Sequence, residues 1–151
     1  MKHQSDILAL KYRPTDFKDL IGQEYLVETI QKSIELNKIP NAYIFTGIRG
    51  VGKTTTARIV AKMLNCTTFD QNNKPDLSNC DQAKAISEDR HPDVIEIDAA
   101  SNTSVENARE IIENVKYNPV LGKYKVYIID EVHMLSKSAF NALLKTLEEP
   151  P

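Results

Sequence analysis

Gly47-Ile48-Arg49-Gly50-Val51-Gly52-Lys53-Thr54 fits the pattern G-x-x-x-x-G-K-[ST] at every fixed position. It stands between a short apolar run, Ala42 to Thr46, and a helical stripe of Ala57, Val60, Ala61 and Leu64. That order, strand then glycine loop then helix, lets the backbone curl so that successive N–H groups face phosphate oxygens. The helix that follows adds its positive end. Lys53 is positioned to reach the β and γ phosphates of ATP, the Thr54 hydroxyl to ligate Mg²⁺, and Thr55 to continue the cradle into the helix.

The rest of the chain repeats the alternation of strand and helix. Upstream, residues 11–22 carry Pro14 and scattered charges and read as an irregular arm. Gln23 to Leu36 follows as a helix, with Leu26, Val27, Ile30 and Ile34 on one face and Asn37 and Pro40 as stop signals. Downstream, residues 66–81 are rich in Asn, Asp, Thr and Pro and read as a flexible surface excursion. Val94 to Asp98 is a second strand. A helix then opens at Thr103, with Glu106 completing a capping box, and carries the stripe Val105, Ala108, Ile111, Ile112 and Val115.

Val126 to Asp130 is apolar without alternation, as a covered parallel strand is. A last helix runs from Ser136 to Leu147 and stops at Pro150. Its Phe140 and Leu143 are expected in the core. Strands separated by helices give an α/β fold with a parallel sheet flanked by helices, in one domain over residues 1–151.

Asp130 and Glu131 end the most apolar of these strands, which sets their carboxylates on the same rim as the glycine loop. Asp130 is expected to hold Mg²⁺ with Thr54, and Glu131 to orient and help deprotonate the attacking water. Lys53, Asp130 and Glu131 are therefore the expected catalytic residues.

Composition narrows the function classes. The 19 Lys plus Arg against 21 Asp plus Glu leave a net charge of −2, so no general field draws in nucleic acid. The central apolar run, Val126 to Ile129, is far short of a membrane span, and Met1 to Asp6 lacks a signal-peptide core. A soluble, cytoplasmic protein is expected. Cys66 and Cys80 match neither a disulfide framework nor a C-x-x-C pair and read as reduced thiols.

The segments KYRPTDFKDLIGQE, AYIFTGIRGVGKTTTARIVAKMLNC, HPDVIEIDAASNTSVENARE and KVYIIDEVHMLSKSAFNALLKTLEEPP closely resemble the bacterial DNA polymerase III clamp-loader gamma/tau family. They cover most of the chain. The resemblance implies an AAA+, RecA-like P-loop NTPase fold. It also implies an ATP-driven motor subunit that works in a ring with other clamp-loader subunits, opens the sliding clamp and sets it on primed DNA. By position it places Tyr12, Arg13, Pro14, Ile21 and Gly22 beside the adenine. Ser101, Asn102, Thr103 and Ser104 match a helix start that faces DNA phosphates, although plain capping accounts for them equally well. The last helix resembles the surface that approaches the clamp.

The family's association with a DNA-directed DNA polymerase belongs to the holoenzyme, since no palm-like set of carboxylates is present. Other readings are a different AAA+ motor, such as a branch-migration helicase, or a non-catalytic ATP-binding fragment that docks on clamp-loader partners.

Two departures from the family pattern qualify the resemblance. The family usually has four cysteines after LNC. This chain keeps Cys66 and Cys80, with Leu77 and Ala83 at the other places, so no zinc is expected. The chain is also expected to be truncated before the family's sensor strand, arginine finger, lid and collar, and therefore to hydrolyse ATP weakly alone.

Overall fold

The structure, a computed structural model, describes residues 24–45, 52–101 and 105–150. Helix α1 (Glu24–Glu35) is closed at its C-terminus by Asn37, whose φ of 51° is left-handed. The Lys38 N–H donates to the Ser33 carbonyl at 3.0 Å and the Asn37 N–H to that of Ile34 at 3.1 Å, so the stop signal read at Asn37 is a Schellman turn.

Helix α2 (Lys53–Asn65) begins after Gly52, whose φ of 79° disfavours a side chain there. Ile59, Val60 and Met63 of α2 bury against Ile30 of α1, and Ile34, Tyr43, Phe45, Leu64 and Leu77 close over this core. Each such aliphatic burial contributes roughly 1.5–3 kcal/mol.

The expected strand at 42–46 is not a strand among its described residues. Residues 42–45 lie in no ladder, and Ile44 is 81% exposed while Tyr43 and Phe45 turn inward and stack at 6.2 Å. The alternation of an extended segment is present, but these residues form no ladder with any described segment.

Residues 66–81 are a surface excursion, as read, exposed between the buried Cys66 and Cys80 and tied by its own hydrogen bonds. Asp70 accepts the Asn72 and Lys74 N–H groups at 2.8 and 2.9 Å, and the Asp76 N–H donates to Thr68 at 2.9 Å. Helix α3 (Asp81–Ser87) follows.

Strands β1 (Val94–Asp98) and β2 (Val126–Asp130) pair in parallel, with Val94 opposite Val126 and Asp98 opposite Asp130. Helix α4 (Val105–Val115) makes the crossover that parallel strands require. Its Ala108, Ile111, Ile112 and Val115 lie on the buried side, as expected, while Thr103 lies outside the described residues. Lys125 Nζ caps the end of α4 by donating to the Asn114 and Tyr117 carbonyls at 2.7 and 3.3 Å.

Helix α5 (Lys137–Glu148) starts at Ser136, whose hydroxyl accepts the Ala139 N–H at 3.2 Å. It packs on α4, and its Ala139 is fully buried. The reading of Phe140 is corrected: it is 39% exposed, while its neighbour Ala139 is the buried residue of that turn and Leu143 is half-buried. No described helix is long and apolar enough to cross a membrane.

One buried carboxylate fixes the strand register. Asp93 is 0% exposed. Its side chain accepts the N–H groups of Val120, Leu121 and Gly122 at 2.6, 2.7 and 2.6 Å, and its carbonyl accepts that of Val126 at 2.7 Å. Asn65 Oδ1 accepts the Tyr124 N–H at 2.8 Å and leaves room only for glycine at 122, where a Cβ would stand 2.6 Å from that oxygen. His91 completes the knot: Nδ1 accepts the Asp93 N–H at 3.1 Å, which leaves Nε2 to donate to Gln82.

Asp93→Ala orphans three N–H groups at about 1–3 kcal/mol each. Urea denaturation is therefore expected to show a loss of roughly 3 kcal/mol or more, with Asp93→Asn losing less.

The pH dependence follows from the same knot. Burial lowers the His91 pKa from 6.5 against the pull of Asp93. Burial also pushes Asp93 up, but its three backbone bonds outweigh that and hold it below 3.8. In both cases the folded state binds fewer protons than the unfolded chain. Their stabilisation is complete above pH 6.5 and is lost as pH falls, first through His91 and then, below 3.8, through Asp93. The urea midpoint should fall on acidification below pH 6.5, and His91→Gln should flatten the upper part of that fall.

Candidate functional site

The N-terminus of α2 and the C-terminus of β2 meet. Thr54, in the first turn of α2, donates its hydroxyl to Asp130 Oδ2 at 3.4 Å, and the two residues are 76 positions apart in the chain. The second carboxylate oxygen of Asp130 accepts the Glu131 N–H at 3.0 Å, which fixes the rotamer. A hydroxyl and a carboxylate side by side are the hard oxygen donors that suit Mg²⁺. The first turn of α2 contains no acidic residue, so its positive end is open to an anion. Lys53 is the first residue of that helix, and Thr55 is buried behind it.

Glu131 stands apart from this pair. It is the first residue after β2 and takes a left-handed φ of 53°, uncommon for a residue with a side chain. A 3-10 turn (Val132–Met134) follows, and Glu131 Oε2 lies 3.2 Å from His133 Nε2. Both side chains are well exposed, so the contact is weak and reversible. The carboxylate expected to handle water is thus on His133 while Thr54 and Asp130 contact each other. Tyr12, Arg13, Pro14, Ile21, Gly22 and Gly47, Ile48, Arg49, Gly50 and Val51 lie outside the described residues. So do Asn102, Thr103 and Ser104; Ser101 donates its hydroxyl to Asp98 at 3.3 Å.

Sequence reasoning missed the clamp that sets α2 against the sheet. Arg58, one turn after Thr54, grips Glu96 of β1 with both fork nitrogens at 2.7 and 2.9 Å. The hydrogen bond with Glu96 raises the Arg58 pKa against the effect of burial. The available signal was Glu96 itself, an acid in the middle of an apolar strand. Asp98, level with Asp130, turns its carboxylate back to the Ala100 N–H at 2.9 Å. A cleft of about 300 Å³ between the strands and α4, lined by Ile95, Ile97, Asn107, Ile111 and Tyr127, contains none of the expected site residues.

The structure also brings Cys66, Cys80 and Ala83 into one buried cluster with Leu77 against it. Burial first, and then the hydrogen bond with Cys80, push the Cys66 thiol up to about 12. Burial opposes ionisation of Cys80 too, but the Cys66 thiol and nearby backbone N–H groups together bring it below 9.0. Leu77 and Ala83 have no ligating atom, and both His91 nitrogens are engaged by Gln82 and Asp93. The donors present do not fit tetrahedral zinc, which takes four.

The family model described as DNA polymerase III, delta subunit, matches residues 22–151. The chain is 52% identical over 145 residues to the DNA polymerase III subunit tau/gamma of Haemophilus influenzae, covering 96% of this chain and 21% of the relative. It is 52% identical over 145 residues to the subunit gamma of Buchnera aphidicola subsp. Schizaphis graminum, covering 96% and 39%. With the subunit tau of Bacillus subtilis it shares 50% over 140 residues, covering 93% and 24%. It thus spans about a fifth to two fifths of these relatives. The chain belongs to the DNA polymerase III, delta subunit family, and among its relatives it is similar to the tau and gamma subunits along nearly its whole length.

Proposed function

We propose that this chain binds and hydrolyses Mg-ATP as a P-loop ATPase of the AAA+ type, and that it serves as a motor subunit of the DNA polymerase III clamp loader. The observation that carries the reading is the approach of the Thr54 hydroxyl to Asp130 across the chain. The G-x-x-x-x-G-K-T motif ends at the helix that holds this hydroxyl. The relatives' names supply the replication context. On this reading the partners are other clamp-loader subunits, the sliding clamp and, through the assembly, primed DNA, and the setting is the cytoplasm.

The residues divide the work. Lys53 and the helix end hold the phosphate charge, while Thr54 and Asp130 hold Mg²⁺. Mg²⁺, when bound, neutralises charge that builds on the β and γ phosphate oxygens. Glu131 swings from His133 to orient the attacking water and accept its proton. The exposure of that contact makes the release easy.

Lys53→Ala is expected to abolish binding of a fluorescent ATP analogue. Glu131→Gln is expected to keep that binding and to lower turnover by roughly 10²–10⁴-fold, the usual contribution of a positioned base. Turnover equal to wild type in Glu131→Gln contradicts the assigned role. Turnover is read on the chain together with its clamp-loader partners.

A further inference from the structure

We propose that the outer edge of β1, with α4 beside it, is a docking groove for an extended basic peptide that joins the sheet as an added strand. The hydrogen bonds at the two ends of β1 show which backbone groups face outward. The Asp93 carbonyl accepts the Val126 N–H at 2.7 Å, and the Ala99 N–H donates to the Asp130 carbonyl at 2.9 Å. Along a parallel strand, residues that bond one neighbour alternate with residues whose backbone groups face the opposite edge. Ile95 and Ile97 therefore share the direction of Asp93 and Ala99 toward β2, and Glu96 turns its N–H and carbonyl outward. Among the described residues no third strand pairs with that edge. An edge of this kind is a template for another chain.

The cleft of about 300 Å³ runs along this strand. Consecutive residues Ile95 to Asp98 line one side, and Asn107, Glu110, Ile111 and Asn114, one stripe of α4, line the other. Ile95 and Ile97 share a face of β1 and are only half-buried, so they can receive alternate apolar side chains of an added strand. Main-chain bonds to Glu96 would set its register. Charge selects the occupant. Glu96, Asp98 and Glu110 all line the cleft, and no Lys or Arg is among the described residues that do. Arg58 balances Glu96 from α2, which leaves the lining with an acidic excess, and Glu110 is exposed. Such a wall repels a polyanion and draws in a peptide that carries Lys or Arg between its apolar residues. The site shares no residue with Lys53, Thr54, Asp130 and Glu131, so it stands or falls apart from the nucleotide reading.

The test is a titration of the 151-residue chain into a short fluorescein-labelled peptide that alternates Val with Lys, followed by anisotropy. Saturable binding is expected, with slower hydrogen exchange at the Glu96 amide in the complex. N-methylation of the peptide's backbone amides should weaken binding about tenfold or more, because it removes the main-chain bonds. Replacing Lys by Glu in the peptide, or Glu110→Lys in the protein, should weaken it several-fold. Absence of saturable binding overturns the proposal. So does equal affinity for the N-methylated peptide, which marks attraction by charge without strand addition, or equal affinity for the Val–Glu peptide. Unchanged affinity in folded Glu110→Lys contradicts it as well. The peptide comparisons are made on the unaltered protein, so they decide the matter even if that variant does not fold.

Discussion

A carboxylate with no contact with water sets the geometry of this protein. Asp93 takes three backbone N–H groups from the loop before β2 on its side chain and the N–H of Val126 on its carbonyl. The loop cannot slide without orphaning several of these groups at once, so Val126 must start opposite Val94. Four residues on, Asp130 arrives level with Asp98 at the carboxyl edge of the sheet, within reach of Thr54. A one-residue slip turns every side chain of a strand to the other face. The position of the proposed metal ligand thus depends on a residue at the far end of the strand.

The second half of the site is set in the same way by α2. The Arg58–Glu96 fork ties the helix to β1, and the apolar core ties it to α1. Thr54 lies one turn before Arg58, so the clamp limits how far the hydroxyl can move from Asp130. Glu131, by contrast, sits in left-handed backbone with its carboxylate on exposed His133. Tethered ligands for the proposed metal, beside an acid held by one exposed contact, suit the proposed order of binding first and reacting after rearrangement.

Features made by neighbours in sequence are legible in the sequence itself. The α4 stripe, the helix start at Ser136 and the Asn37 stop each follow from local periodicity or one side chain meeting nearby backbone. The acid pair ending β2 was legible because a covered parallel strand announces itself by unbroken apolar residues. Features that depend on distant partners were not. Ala42 to Phe45 has the composition of a strand and the alternation of an extended chain, yet it forms no ladder with any described segment. Phe140 is exposed while the small Ala139 beside it is buried, and apolar spacing along the helix does not tell which of two adjacent apolar positions faces the neighbour. Neither the three-fold acceptance by Asp93 nor the convergence of Leu77 and Ala83 on two cysteines has a local signature.

The central claim is that Thr54 and Asp130 act together on one metal ion. A double-mutant cycle on Mg²⁺-dependent ATP affinity tests it directly, with Thr54→Ala, Asp130→Ala and the pair compared by isothermal titration at matched Mg²⁺. Two ligands of one ion are predicted to couple, so the double variant loses less affinity than the sum of the single losses, by about 0.5–3 kcal/mol. Strict additivity of the two losses, with each variant shown to be folded, contradicts the account.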